Sequence, residues 1–118
     1  MKSWKPWFIE HSKIPVWLSK VAPIEIHAIS IGPFVWGRSE LSETTRNHET
    51  IHFQQQLELL FLFFYLLYGI FWLIGLIKYH SGKGAYYQIP FEQEAYSNEK
   101  NFQYLSHRKM YFWRRYKI

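Results

Sequence analysis

Residues 44–77 read TTRNHETIHFQQQLELLFLFFYLLYGIFWLIGLI, polar at the start and then apolar without interruption. From Leu59 to Ile77 there is no charged residue, and no proline occurs between Pro33 and Pro90. A helical run over 39–79 is therefore predicted, with Gly69 and Gly75 as its only weak points. The preceding SELSET (39–44) supplies its start. Ser39 or Ser42 can accept from the open amides, and Glu40 and Glu43 suit the positive end of the helix. Within the polar third, His48-Glu49-Thr50-Ile51-His52 fits the pattern H-E-x-x-H. Residues four apart on a helix share a face, so both imidazoles can reach one zinc ion. Glu49 lies beside them, placed to take a proton from water. Gln55, three residues past His52, shares that face and can hydrogen-bond a ligand or substrate.

On the N-terminal side, PIEIHAISIGPFVWG (23–37) alternates and is rich in β-branched residues, which predicts short strands. Residues 1–22 carry Pro and Trp without a period and are expected to form an irregular, interfacial arm. On the C-terminal side, YHSGKGAYYQ (79–88) has the composition of a loop. Pro90 then opens a helix predicted over 90–107, with Glu92 and Glu94 in its first turns and Phe91, Ala95, Phe102 and Leu105 at helical spacing. Residues 108–118, RKMYFWRRYKI, interleave cations with aromatic rings. The expectation is one domain, 1–118, mostly α-helical with a short β-hairpin.

Composition narrows the chemistry. With no Cys, thiolate ligands and disulfides are excluded; with no Asp, any carboxylate chemistry falls to the nine Glu. Aromatic residues make up 21% of the chain, and six Trp and nine Tyr are what a membrane–water interface favours. The net charge of +5 arises entirely after residue 77, where eight Lys/Arg face three Glu. A basic half beside an apolar segment points to anionic lipid, and no nucleic-acid partner is expected. No signal peptide is expected, because Pro6, Glu10, Lys13 and Pro15 interrupt the start.

HETIHFQQ (48–55) together with AYYQIPFEQEAY (85–96) resembles a set of small bacterial membrane-associated proteins with a gluzincin-like zinc motif, over roughly residues 24–98. The resemblance implies a minimal zincin-like fold and a zinc metallopeptidase with His48 and His52 as ligands and Glu49 as base. It makes Glu92 the third ligand, three residues before Ala95, with Glu94 as the alternative. Gluzincins often place an Asp four residues beyond that Glu to orient a histidine. Here those positions are Tyr96, after Glu92, and Asn98, after Glu94, so the residues expected around the ligands are Gln55, Tyr96 and Asn98. The absent Asp leaves open a non-catalytic zincin-like subunit of a larger membrane complex.

A straight helix over 59–77 would span a bilayer and place the histidines and Glu92 on opposite sides of roughly 30 Å of hydrocarbon. A turn near Tyr68-Gly69, giving helices of about 57–67 and 70–79, would bring Glu92 back. The expected outcome is a re-entrant, membrane-associated chain acting on peptides or proteins, its basic tail a second anchor on lipid phosphates and its site on the cytoplasmic face.

Overall fold

The computed structural model describes residues 5–19 and 28–118. The fold is mostly helical with one small three-stranded sheet. Strands β1 (Trp7–Ile9), β2 (Ala28–Ile31) and β3 (Phe34–Gly37) lie in the order β1-β3-β2. β3 runs parallel to β1, pairing Phe8 with Val35, and antiparallel to β2, pairing Ser30 with Val35. The β2–β3 hairpin turns at Gly32-Pro33. Gly32 has φ 58°, a conformation that side-chain-bearing residues resist. The predicted strand segment 23–27 lies outside the described residues. Over its described residues, 5–19, the N-terminal arm is not irregular: β1 joins the sheet and α1 (Ile14–Ser19) follows. Glu10 fixes it, accepting from the Leu41 amide at 2.6 Å and from Arg46 at 2.9 Å.

Helix α2 (Glu43–Glu58) begins at Ser42, whose Oγ accepts from the Thr45 amide. Its middle is polar yet buried, from Asn47 to Gln56. Buried polar groups are costly unless hydrogen-bonded, and here the partners are found. Asn47 Nδ2 lies within hydrogen-bond distance of the carbonyls of Asn98, Glu99 and Asn101, while Gln56 donates to Ser30 Oγ at 2.7 Å and accepts from the Gly32 amide.

The long run does break, but not at Gly69. Helix α3 (Leu62–Tyr79) passes straight through that glycine, and the break falls at Leu59–Phe61, where Leu60 and Phe61 have φ of 55° and 61°. Two non-glycine residues in the left-handed region cost on the order of 1–3 kcal/mol each. The corner is held by the Phe61 amide on the Gln56 carbonyl at 2.7 Å and by Glu58, which a buried arginine clamps from the far end of the chain. Tertiary contacts therefore place the turn where local glycine chemistry would not.

After α3 the chain reverses at His80 and Ser81. The expected loop is helix α4 (Gly82–Gln88), capped by Ser81. It returns along α3, with Trp72 Nε1 donating to the Gly82 carbonyl and Gly75 against Ala85. A Cβ at Gly75 would stand 3.0 Å from both Ala85 Cα and Cβ, so any side chain there requires the Ala85 backbone to give way. Gly75→Leu is expected to force α3 and α4 apart and cost about 1–3 kcal/mol. Gly69→Leu, with no atom within 4 Å of its Cβ position, serves as the matched control; chemical denaturation compares the two.

Helix α5 (Pro90–Asn98) ends nine residues short of the predicted 107. The carbonyls that would continue it are taken by Asn47, and a separate turn, α6 (Tyr104–His107), follows. The last element is a 3-10 turn, Phe112–Arg115. Phe64, Ile89, Phe91 and Trp113 form one core cluster; Ile51, Ala95 and Tyr104 form another.

Candidate metal centre

His48 and His52, one turn apart on α2, point at Glu92 on the first turn of α5. Glu92 Oε1 lies 3.3 Å from His48 Nε2 and 3.0 Å from His52 Nε2, and the two Nε2 atoms are 3.2 Å apart. All three residues are buried and together can hold a metal ion. The outer nitrogens are engaged as well. His48 Nδ1 is 2.8 Å from Glu99 Oε1, and His52 Nδ1 is 2.8 Å from Gln55 Oε1. Both partners are acceptors, so each ring carries a proton on Nδ1, and without a further cation each Nε2 would turn a lone pair toward Glu92. Three lone-pair donors then meet within hydrogen-bond distance. Only a shared positive charge, a proton or a metal cation, satisfies that arrangement.

The electrostatics express the same demand. Burial opposes the charged form of His48, but its hydrogen bonds to Glu92 and Glu99 outweigh burial and push its pKa up to about 10. Burial likewise opposes charge on His52, yet the charge of Glu92 and its hydrogen bond raise that pKa too. Glu92 is driven the other way: burial would raise it, but the His52 charge and the hydrogen bonds from both imidazoles hold it below the usual carboxylate range. Glu49 is different. It is buried, makes no hydrogen bond or ion pair with any described residue, and has its pKa raised by burial against the partial offset of the two imidazoles. A carboxyl group beside the cluster, left free and shifted toward neutrality, has the character of a general base.

Several expected residues fall into place. Gln55 reaches beyond His52: its Nε2 donates to the Phe91 carbonyl at 3.0 Å and to Glu94 Oε1 at 2.9 Å, tying α2 to α5. The Tyr96 ring lies edge-on to His48 with centroids 4.5 Å apart, and its hydroxyl is 2.9 Å from that of Tyr86. Burial raises the pKa of both phenols, and the nearby Glu92 charge adds to it, so both keep their protons.

Two expectations are corrected. Glu94 does not face the histidines. It is spent in a buried network with Arg108 and Tyr104, where the guanidinium satisfies its charge. Asn98 does not touch the cluster either; its side chain donates to the Glu94 carbonyl and to Tyr116 Oη, and its carbonyl accepts from Asn47.

Sequence reasoning missed Glu99 and the role of Tyr68. Tyr68, on α3, donates to Glu92 Oε2 at 2.6 Å, which leaves Oε1 for the imidazoles. Glu99 stands seven residues past Glu92, two helical turns along the same face, and that spacing was the available signal. Glu99→Gln is expected to weaken metal binding about 10- to 100-fold, since partners of ligand histidines set ring orientation and basicity. Competition against a chromogenic chelator measures it.

The chain matches no protein-family model, no curated protein and no solved structure.

Proposed function

We propose that the protein is a membrane-associated zinc metallopeptidase of minimal zincin-like form. The observation that carries this reading is the convergence of His48 Nε2, His52 Nε2 and Glu92 Oε1 at separations of 3.2, 3.3 and 3.0 Å. Ligand bonds of about 2.0–2.1 Å in a tetrahedron give ligand–ligand edges of roughly 3.3 Å. The donor set, two imidazoles and a carboxylate, is the one catalytic zinc takes while keeping a position open. When bound, the metal supplies a Lewis acid that polarises the scissile carbonyl and acidifies water.

The protein's own residues do the rest. Glu49 accepts a proton from the attacking water and returns it to the departing amine, which breaks the peptide bond with the proton count balanced. The Tyr86 and Tyr96 hydroxyls, still protonated, donate toward the carbonyl oxygen as it gains negative charge. Tyr68 is held by Glu92 and steadies that carboxylate instead. β2 is an edge strand locked to α2 through Gln56 and Ser30, the position from which a sheet takes up an extended peptide. Glu99 occupies the orienting role for which no Asp exists, and this favours the hydrolase over a non-catalytic subunit.

α3 supports the membrane half of the reading. Leu62–Tyr79 is long and apolar enough to cross a bilayer, and only 11% of it is buried. Leu62, Phe63, Leu66, Ile70, Leu73, Ile74 and Ile77 are all exposed. These side chains lie on one side of α3; the opposite side packs on Phe91 and Trp113 through Phe64 and Phe71. A helix covered by protein on one side and apolar on the other fits insertion into one leaflet, with the site and α5 beside it.

The test is elemental analysis of protein purified without chelator, followed by cleavage assays on peptides and on single-span proteins in vesicles. About one zinc per chain and cleavage that a chelator stops and zinc restores are expected. Protein without a transition metal, or cleavage indifferent to its removal, overturns the proposal.

A further inference from the structure

The C-terminal segment was expected to present its cations and rings together to lipid. It instead divides its residues between two tasks. Arg108 is buried, paired with Glu58 and Glu94, and Trp113 is buried against Phe91. Gln93 Nε2 donates to the Lys117 carbonyl at 2.7 Å, and Lys78 Nζ to the Ile118 carbonyl at 2.9 Å. The segment is thus pinned at both ends. What it leaves outward is a cavity of about 390 Å³ lined by Lys109, Met110, Tyr111, Phe112, Arg114 and Arg115. Among the described residues the side chains of Lys109 and Arg114 have no ion-pair or hydrogen-bond partner, and the Arg115 guanidinium has only the Phe112 ring beneath it. No carboxylate among the described residues lines the cavity. Three cations around an open hollow, held there by buried anchors, suit an anion.

We propose that this cavity binds the phosphate of an anionic phospholipid headgroup. The choice of lipid over free phosphate rests on what adjoins it. The Tyr111 amide donates to Glu58 at the end of α2, and its hydroxyl reaches the Glu58 carbonyl. Two residues further along is the α2–α3 corner, where Leu60 is 73% exposed, Leu62 62% and Phe63 54%. Met110, on the cavity itself, is 56% exposed. A cationic hollow beside projecting aliphatic and aromatic side chains matches a lipid at the surface, with phosphate in the hollow and acyl chains along α3. Soluble phosphate needs no such apolar border. The proposal rests on the membrane-associated part of the reading above and is independent of hydrolysis.

Vesicle co-flotation of the full chain tests it, with neutral phosphatidylcholine vesicles and with the same vesicles containing phosphatidylglycerol. Neutral vesicles report on α3; the increment from phosphatidylglycerol reports on the cavity. Arg114→Gln/Arg115→Gln is expected to reduce the increment about 25-fold, at roughly fivefold per cation near an anionic surface. Binding to neutral vesicles should be unchanged. Lys83→Gln/Lys100→Gln removes the same charge away from the cavity and is expected to keep most of the increment. Both pairs change exposed side chains, and thermal unfolding verifies that they fold. Equal loss in the two double variants, or no increment in the parent, overturns the site. Abolition of the increment by inorganic phosphate at fixed ionic strength overturns the lipid assignment.

Discussion

Glu49→Gln is expected to lower peptide hydrolysis by about 10²- to 10⁴-fold while zinc content stays at the parent's level. The amide keeps the volume and polarity of the side chain but cannot take up a proton at neutral pH. Among the described residues the Glu49 carboxyl makes no hydrogen bond that the change would break, and the three candidate ligands each keep their partners in Gln55, Tyr68 and Glu99. Loss of activity without loss of metal or of thermal stability is therefore the signature of a base, because a structural role would move stability as well. Elemental analysis and a melting curve accompany the cleavage assay. A Gln variant that cleaves like the parent removes Glu49 from the mechanism.

The second large effect lies away from the metal. Arg108→Ala is expected to destabilise the protein by about 3–5 kcal/mol, the cost of stranding buried charge. The guanidinium bonds both oxygens of Glu58 at 3.0 Å and both oxygens of Glu94. Burial opposes charge on the arginine, but those bonds outweigh it and push its pKa further up. Removing it leaves two carboxylates inside the protein with one cation fewer. Denaturant unfolding should register the loss. Arg108→Ala/Glu58→Gln/Glu94→Gln should recover much of it, since neutral amides carry less desolvation cost. A single variant as stable as the parent shows the network to be idle. Glu94 also accepts from Gln55, which holds His52, so metal affinity in the single variant is expected to fall along with stability.

These two predictions differ in how far the sequence foretold them. Glu49 was legible because H-E-x-x-H is a local pattern: helical periodicity alone puts His48 and His52 on one face with Glu49 adjacent. Gln55 was legible for the same reason, lying one turn past His52. Ser42 as cap and Pro90 as first helical residue follow from chemistry within a few positions of chain. The mostly helical fold with a short hairpin at Gly32-Pro33 follows likewise.

What lay beyond reach depends on residues far apart in the chain. Neither the role of Arg108 nor the loss of Glu94 as a ligand is visible locally, because the pair is closed by a tail fourteen residues on and by Glu58 fifty residues before it. The break at Leu59–Phe61 escaped for the same reason. Propensity favours Gly69, whereas packing of α3 on α4 and the clamp on Glu58 determine where the chain bends. Glu99 was passed over because the expected orienting position was Tyr96.

By itself, then, the sequence determined that α2 is a helix presenting two imidazoles and a carboxylate, that an apolar helix follows it, and that Pro90 opens another. Short-range periodicity and capping suffice for that. Only the tertiary structure decided which glutamate meets the histidines and which is neutralised elsewhere. That choice turns on the reversal after α3 and on a buried arginine, and a carboxylate's partner is set by what the folded chain brings within about 3 Å, not by its neighbours in sequence.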